Sequence, residues 1–148
     1  MHYFLWLIAA LWFAIYFLNS EFRKGSLKKT QPHFTETFLT DVPPYKTFKA
    51  IMEFATKQGY RIDDFDDQQL AVILNERMTL MSYGSLYPIY ITPQGAKTMV
   101  EVGVTSKFPK FFLISPINRK LVTLRLERML NGIKGAVFAY GTINEREY

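Results

Sequence analysis

The first twenty residues, MHYFLWLIAALWFAIYFLNS, contain no Lys, Arg, Asp or Glu, and every charge in the chain falls after them. Tyr3 to Leu18 is an unbroken apolar and aromatic run of sixteen residues. With Met1, His2 and Asn19 as tolerated ends, a helix here reaches roughly 28 Å at about 1.5 Å per residue, close to the bilayer hydrocarbon thickness of about 30 Å. A cleaved secretory leader needs basic residues ahead of its apolar run and small residues at its end. Nothing basic precedes this run, and it closes on Ile15-Tyr16-Phe17-Leu18. A buried core helix would carry a polar face, and this one has none. The segment therefore predicts an uncleaved single-pass transmembrane anchor over residues 1–20. The basic residues directly after it, Arg23, Lys24, Lys28 and Lys29, place the N-terminus outside and the rest of the chain in the cytoplasm by the positive-inside rule.

Residues 21–33 read as a polar, basic juxtamembrane linker, since Lys24-Gly25-Ser26 and Gln31-Pro32 oppose a continuous helix. A folded domain follows over 34–140, long enough to bury a core without covalent staples. The chain has no cysteine, which removes disulfides, thiolate zinc sites, cysteine nucleophiles and lipid-bearing cysteines. Its net charge of +5 suits a membrane surface or nucleic acid without choosing between them.

Within the domain, Phe34 to Phe38 reads as a strand. Pro43-Pro44 opens a helix whose apolar face is Phe48, Ile51, Met52 and Ala55, stopped at Gly59. Tyr60 to Phe65 and Leu70 to Leu74 are strands around an Asp66-Asp67-Gln68 turn. A further strand system runs from Thr79 to Thr92, interrupted at Gly84-Ser85 and Pro88. After a turn at Pro93-Gln94-Gly95-Ala96, Thr98 to Thr105 alternates, with Val100, Val102 and Val104 inward and Met99, Glu101 and Gly103 outward. Ser115-Pro116 opens a last helix with the stripe Val122, Leu126, Met129, Ile133, Val137 and Tyr140. Asn131-Gly132 and Gly135 weaken its second half, and residues 141–148 read as a flexible tail.

The expectation is an α+β domain of β-α-β4-α order, an antiparallel sheet of about five strands packed by two helices, with its other face wet or engaged. This order resembles TATA-binding-protein-like and helix-grip domains. The pattern at Met81-Ser82-Tyr83-Gly84, from Lys97 to Lys107, and around Asn118 is similar to small membrane-anchored domains of unknown function. The resemblance spans most of residues 34–140 and implies no active site.

No catalytic motif is present, so no enzyme activity and no cofactor are expected. The only histidines, His2 and His33, do not form a spaced metal pair. Tyr83-Gly84-Ser85-Leu86-Tyr87 lacks the second glycine of a serine nucleophile elbow. No phosphate loop or dinucleotide fingerprint occurs. The cluster Asp63, Asp64, Asp66 and Asp67 departs from a calcium loop, having Asn75 at the bidentate-Glu position and no glycine at the turn. It reads as a solvated hairpin tip.

The segment Lys107-Phe-Pro-Lys-Phe-Phe-Leu-Ile-Ser115 concentrates five large apolar residues, Phe108, Phe111, Phe112, Leu113 and Ile114, beside Lys107 and Lys110. From Lys107 to Lys134 there are seven basic residues against Glu127 alone. The aromatics either pack beneath the last helix or meet an external surface. Basic residues near an anionic leaflet contribute about 1 kcal/mol each, and a tether raises the effective concentration. The leading expectation is thus a non-catalytic module at the cytoplasmic membrane surface, contacting lipid headgroups or a membrane-protein partner through Lys107, Phe108, Lys110, Phe111, Phe112, Arg119 and Lys120. The alternative, which the helix-grip resemblance implies, is a lipid or small-molecule carrier with an apolar cavity between sheet and last helix, lined by Tyr83, Tyr87, Tyr90 and Met99. Nucleic-acid binding by the basic last helix is a remote third; it predicts steep salt dependence, but no nucleic-acid motif supports it.

Overall fold

The structure is a computed structural model that describes residues 2–21, 25–28, 30–77, 84–107 and 116–145, with main chain only at 17–21 and 143–145. Its elements are α1 (His2–Glu21), β1 (Phe34–Thr40), α2 (Pro44–Gln58), β2 (Arg61–Asp66), β3 (Ala71–Asn75), β4 (Ser85–Gln94), β5 (Lys97–Ser106) and α3 (Pro116–Glu145). The strands form one antiparallel sheet in the order β1-β5-β4-β3-β2. The expected α+β class and β-α-β4-α order are those of the molecule, with α1 as a third helix.

Local signals account for most boundaries. Pro44 sits in the first turn of α2, where its missing N–H costs nothing. Gly59 ends the helix in the left-handed region at φ 77°, and Tyr60 N–H returns to the Ala55 carbonyl at 2.9 Å, a Schellman-type stop. The α2 and α3 stripes and the inward residues of β3, β4 and β5 form one core, with Ile51, Leu126, Ile133, Val72, Leu74, Val100, Val102 and Val104 buried. Each such side chain contributes about 1.5–3 kcal/mol by leaving water. Two expectations shift. Pro88 does not interrupt β4; it pairs opposite Ile73 of β3, while the pairing to β5 passes from Leu86↔Thr105 to Ile89↔Val102 without engaging it. Proline is tolerated there because no ladder donor is required of it. The last helix runs unbroken through Asn131-Gly132 and Gly135 to Glu145, so the first residues of the expected flexible tail are helical. Gly132 lies against Phe54, where a Cβ would come within 2.9 Å of the ring, and this packing offsets its weak helix propensity.

Part of the other face of the sheet, over β2 to β5, is covered by the chain itself. Residues 25–28 and 30–33 lie across it as a strap. A Cβ at Gly25 would meet Ile73 Cγ2 at 2.6 Å, and one at Gly103 would meet Pro32 Cβ at 2.6 Å. The Thr105 hydroxyl donates to the Gln31 carbonyl at 2.8 Å, and His33 N–H donates to the Val104 carbonyl at 2.9 Å. Beneath the strap Ala71, Ile73 and Leu86 are buried. The anchoring carboxylates are two of the acidic cluster. A β-bulge between Ile62 and Asp64 lets Asp63 join Asp64 on this face. Asp63 Oδ2 accepts from Gly25 N–H at 2.7 Å and Asp64 Oδ2 from Leu27 N–H at 2.9 Å. Asp66 and Asp67 fit the expected hairpin tip: Asp67 is exposed in the turn, and the Asp66 carboxylate accepts from the N–H groups of Gln68 and Gln69. The described residues of the segment read as a polar, basic linker pack on the sheet.

The expected membrane span is corrected. Among the described residues no helix is long and apolar enough to cross a membrane. The uninterrupted apolar run of α1 reaches only about 24 Å at about 1.5 Å per residue, against a hydrocarbon core of about 30 Å. The single-pass topology, the outside N-terminus and the cytoplasmic, membrane-anchored placement fall with it. The side chains of α1 from residue 3 to 16 are nonetheless apolar or aromatic and exposed, Trp6 at 76% and Trp12 at 71%. A hydrogen bond ties the helix to the domain, the Tyr16 hydroxyl donating to the Lys107 carbonyl at 3.5 Å.

Candidate functional site

A cleft of about 310 Å³ opens between the inner face of the sheet and the first half of α3, lined by Tyr60, Glu76, Tyr87, Leu121, Leu124, Arg125, Arg128 and Met129. Its floor is Tyr87, placed on the inner face by the β4 alternation that also turns Ile89 and Ile91 inward. Tyr87 is 2% exposed, and its hydroxyl donates to Glu76 Oε2 at 3.3 Å. Tyr60, just past α2, meets the Tyr87 ring edge-on at 6.1 Å between centroids and stacks on Phe54 at the same separation. The α3 wall carries Leu121, Leu124 and Met129 as apolar surface and Arg125 and Arg128 as charge. Arg125 Nη1 donates to Ser85 Oγ at 3.4 Å, which holds the guanidinium toward the start of β4.

Glu76 is set by main-chain contacts. Its N–H donates to the Ser85 carbonyl, and its own carbonyl accepts from Lys107 Nζ at 3.0 Å. Gly84, at φ 75°, lies so close that a Cβ would sit 2.5 Å from the Glu76 carbonyl oxygen. Lys107 and Gly84 are thus positioning residues for the carboxylate that Tyr87 meets. Burial pushes the Tyr87 phenol far above its ordinary value, the Glu76 carboxylate and Tyr60 add to the rise, and Arg125 and the Ser85 hydrogen bond oppose it. Burial raises Tyr60 as well, with Glu76 adding and Arg128 opposing. Both phenols are therefore neutral hydrogen-bonding groups at ordinary pH. Among the described residues no three His, Asp or Glu side chains converge as a metal site.

A larger groove of about 410 Å³ lies between α2 and α3, walled by Ala50, Phe54, Gly132, Ala136 and Ala139 and rimmed by Glu53 and Lys57. It has volume without a buried polar group directed into it. A small-molecule site needs both apolar walls and a few convergent polar groups, so the sheet–α3 cleft is the candidate.

The sequence-predicted residues divide. Of the carrier set, Tyr87 forms the floor. Tyr90 and Met99 point to the opposite face, being paired beside Ala71 and Thr92 in positions that alternate with the core, and Tyr83 lies outside the described residues. Of the surface set, Lys107 is 2% exposed, with its Nζ on the Glu76 carbonyl and beside Gly84. Arg119 and Lys120 are exposed on the first turns of α3. Phe108, Lys110, Phe111 and Phe112 lie outside the described residues. Lys28 is exposed on the strap; Arg23, Lys24 and Lys29 lie outside the described residues. Sequence reasoning misses Glu76, Tyr60, Arg125 and Arg128 as site residues. The signal that finds the α3 wall is a second line, Ile117, Leu121, Leu124 and Arg128, spaced 4, 3 and 4 beside the core stripe.

No protein-family model matches the sequence, and neither does any curated protein sequence. Solved structures do match in shape. Ara h 8.0201 superposes with a TM-score of 0.53 at 14% identity, over 72% of this chain and 97% of its own. TTHA0849 from Thermus thermophilus gives a TM-score of 0.52 at 15% identity, over 71% of this chain and 96% of its own. At such identities the likeness establishes the fold alone. That fold is Bet v1-like.

Proposed function

We propose that this chain is a non-enzymatic carrier of small apolar molecules, held in the cleft between the sheet and α3. The observation that carries the reading is the buried Tyr87, bonded to the half-buried Glu76, at the foot of a cleft whose α3 wall carries Leu121, Leu124 and Met129 beside Arg125 and Arg128. Apolar walls bind the body of a ligand, and a few fixed polar groups orient it. The fold gives support, since a Bet v1-like fold often has a cavity for ligand binding. Tyr87 acts in this reading as a neutral hydrogen-bonding group and not as a base, because its phenol holds its proton far above neutrality. The surface-module reading loses support, because it needs Lys107 outside and a membrane span in α1.

Calorimetric titration of the full chain with 1-decanol tests the proposal. Saturable one-to-one binding is expected, weakened about tenfold or more by Leu124→Trp, which fills the α3 side of the cleft. Absence of saturable binding, or binding indifferent to Leu124→Trp in a folded variant, refutes it.

A further inference from the structure

The charges around the cleft do not balance. Glu76 shares the cleft with two guanidinium groups, Arg125 and Arg128, of the α3 wall. Among the described residues neither arginine has an ion-pair partner: the only salt bridges there are Arg61–Asp63 and Lys97–Asp41. Arg125 gives one N–H to Ser85 Oγ, which fixes its side chain and leaves other donors of its planar fork. Glu76 already accepts from the Tyr87 hydroxyl. The cleft therefore carries one positive charge in excess beside a fixed, neutral phenol pair.

A guanidinium fork matches a carboxylate in geometry as well as charge. A cationic head group would meet two arginines, and a neutral alcohol would leave their charge uncompensated. The volume bounds the rest of the ligand. About 310 Å³ is roughly ten water volumes at about 30 Å³ each, room for a body of roughly ten carbons and not for a sterol or a two-chain lipid. The apolar wall of Leu121, Leu124 and Met129 faces that body, with the rings of Tyr60 and Tyr87 beneath.

We infer that the cleft selects small monocarboxylates with an aliphatic body of roughly ten carbons, the carboxylate engaged by Arg125 and Arg128. This rests on the carrier reading and names its ligand class. Arg128 lies off the core stripe of α3 and is exposed, so its replacement leaves the core packing untouched.

The test compares decanoate, 1-decanol and decylammonium as probes of the full chain by calorimetry near neutral pH. Decanoate is expected to bind about tenfold tighter than decanol, and decylammonium more weakly than either. Arg128→Gln is expected to remove most of the decanoate preference, with an unchanged circular-dichroism spectrum and thermal midpoint showing that the variant is folded. Lys120→Gln, on the exposed side of the same helix, is the control for general positive charge and is expected to leave the preference intact. Equal affinity for decanoate and decanol overturns the head-group inference and leaves the carrier reading standing. So does a preference that Lys120→Gln erases as fully as Arg128→Gln. Failure of all three probes to bind overturns both.

Discussion

Replacing Asp63 by Ala tests how far the strap is part of the fold. The Asp63 side chain is 1% exposed and accepts three hydrogen bonds, from Gly25 N–H, Asn75 Nδ2 and Arg61 Nε, each at 2.7 Å. The Arg61 side chain is 42% exposed, so its ion pair adds only about 0.2–1 kcal/mol. The other two are charge-assisted bonds to partly buried donors, worth about 1.5–3 kcal/mol each. Alanine also relieves the cost of burying a carboxylate, which returns part of this. The expected loss is about 2–4 kcal/mol in urea denaturation, and Asp63→Asn, which keeps an acceptor oxygen, should lose less. Hydrogen exchange should accelerate at the Gly25 and Leu27 amides before the rest of the domain opens. The pH dependence has a fixed sign. Burial alone would raise the Asp63 value, but the hydrogen bonds from Arg61, Gly25 and Asn75 and the Arg61 charge bring it below the ordinary carboxylate value. Its contribution is therefore present above about pH 3.9 and is lost as pH falls through the lower folded value. The gap between wild type and Asp63→Ala should close in acid. A change under about 0.5 kcal/mol at neutral pH, with the Gly25 amide still protected, would refute the anchoring role.

Gly84→Ala should cost about 1–3 kcal/mol, read as a lower thermal midpoint, because φ is 75° and the new Cβ would press on the Glu76 carbonyl. Decanol affinity should fall with it; an unchanged midpoint would contradict the packing of Glu76. In alkaline titration followed by ultraviolet absorbance, part of the phenolate signal should appear only well above the ordinary tyrosine value of about 10, and Tyr87→Phe should remove the last of it. Tyr60, Tyr87 and Tyr90 all have raised values, burial being the largest cause in each. Their stabilisation is therefore full below about pH 10 and declines as pH rises toward the folded values.

Much of the fold is legible because its signals are local. The α2 stripe with Pro44 and Gly59, the α3 stripe, and the alternation of Val100, Val102 and Val104 each lie within one element and each predicts its own burial. The strap is not legible in the same way. Its anchors join residues 38 and 37 positions apart, and the groups that Asp63 and Asp64 receive are main-chain N–H groups, which leave no mark in a sequence. Lys107 is similar: its partner is a carbonyl, so a lysine flanking an aromatic run reads as a surface charge although it is buried. In the cleft, alternation alone separates Tyr87 from Tyr90, since an odd offset along a strand puts two side chains on opposite faces. The same parity removes Met99. The α1 segment shows the limit of hydropathy, since an apolar run specifies low affinity for water before it specifies a partner.

Everything proposed for this chain rests on the space between Tyr87 and α3 being a binding site. Methyl-resolved NMR of the full chain during titration with 1-decanol probes that space directly. Binding in the cleft predicts saturable shifts at the methyls of Leu121, Leu124 and Met129 that fit one affinity, with those of Ile73 and Leu86, under the strap on the opposite face, unmoved. Shifts confined to the apolar residues of α1, or no saturable change at the α3 methyls, would contradict it.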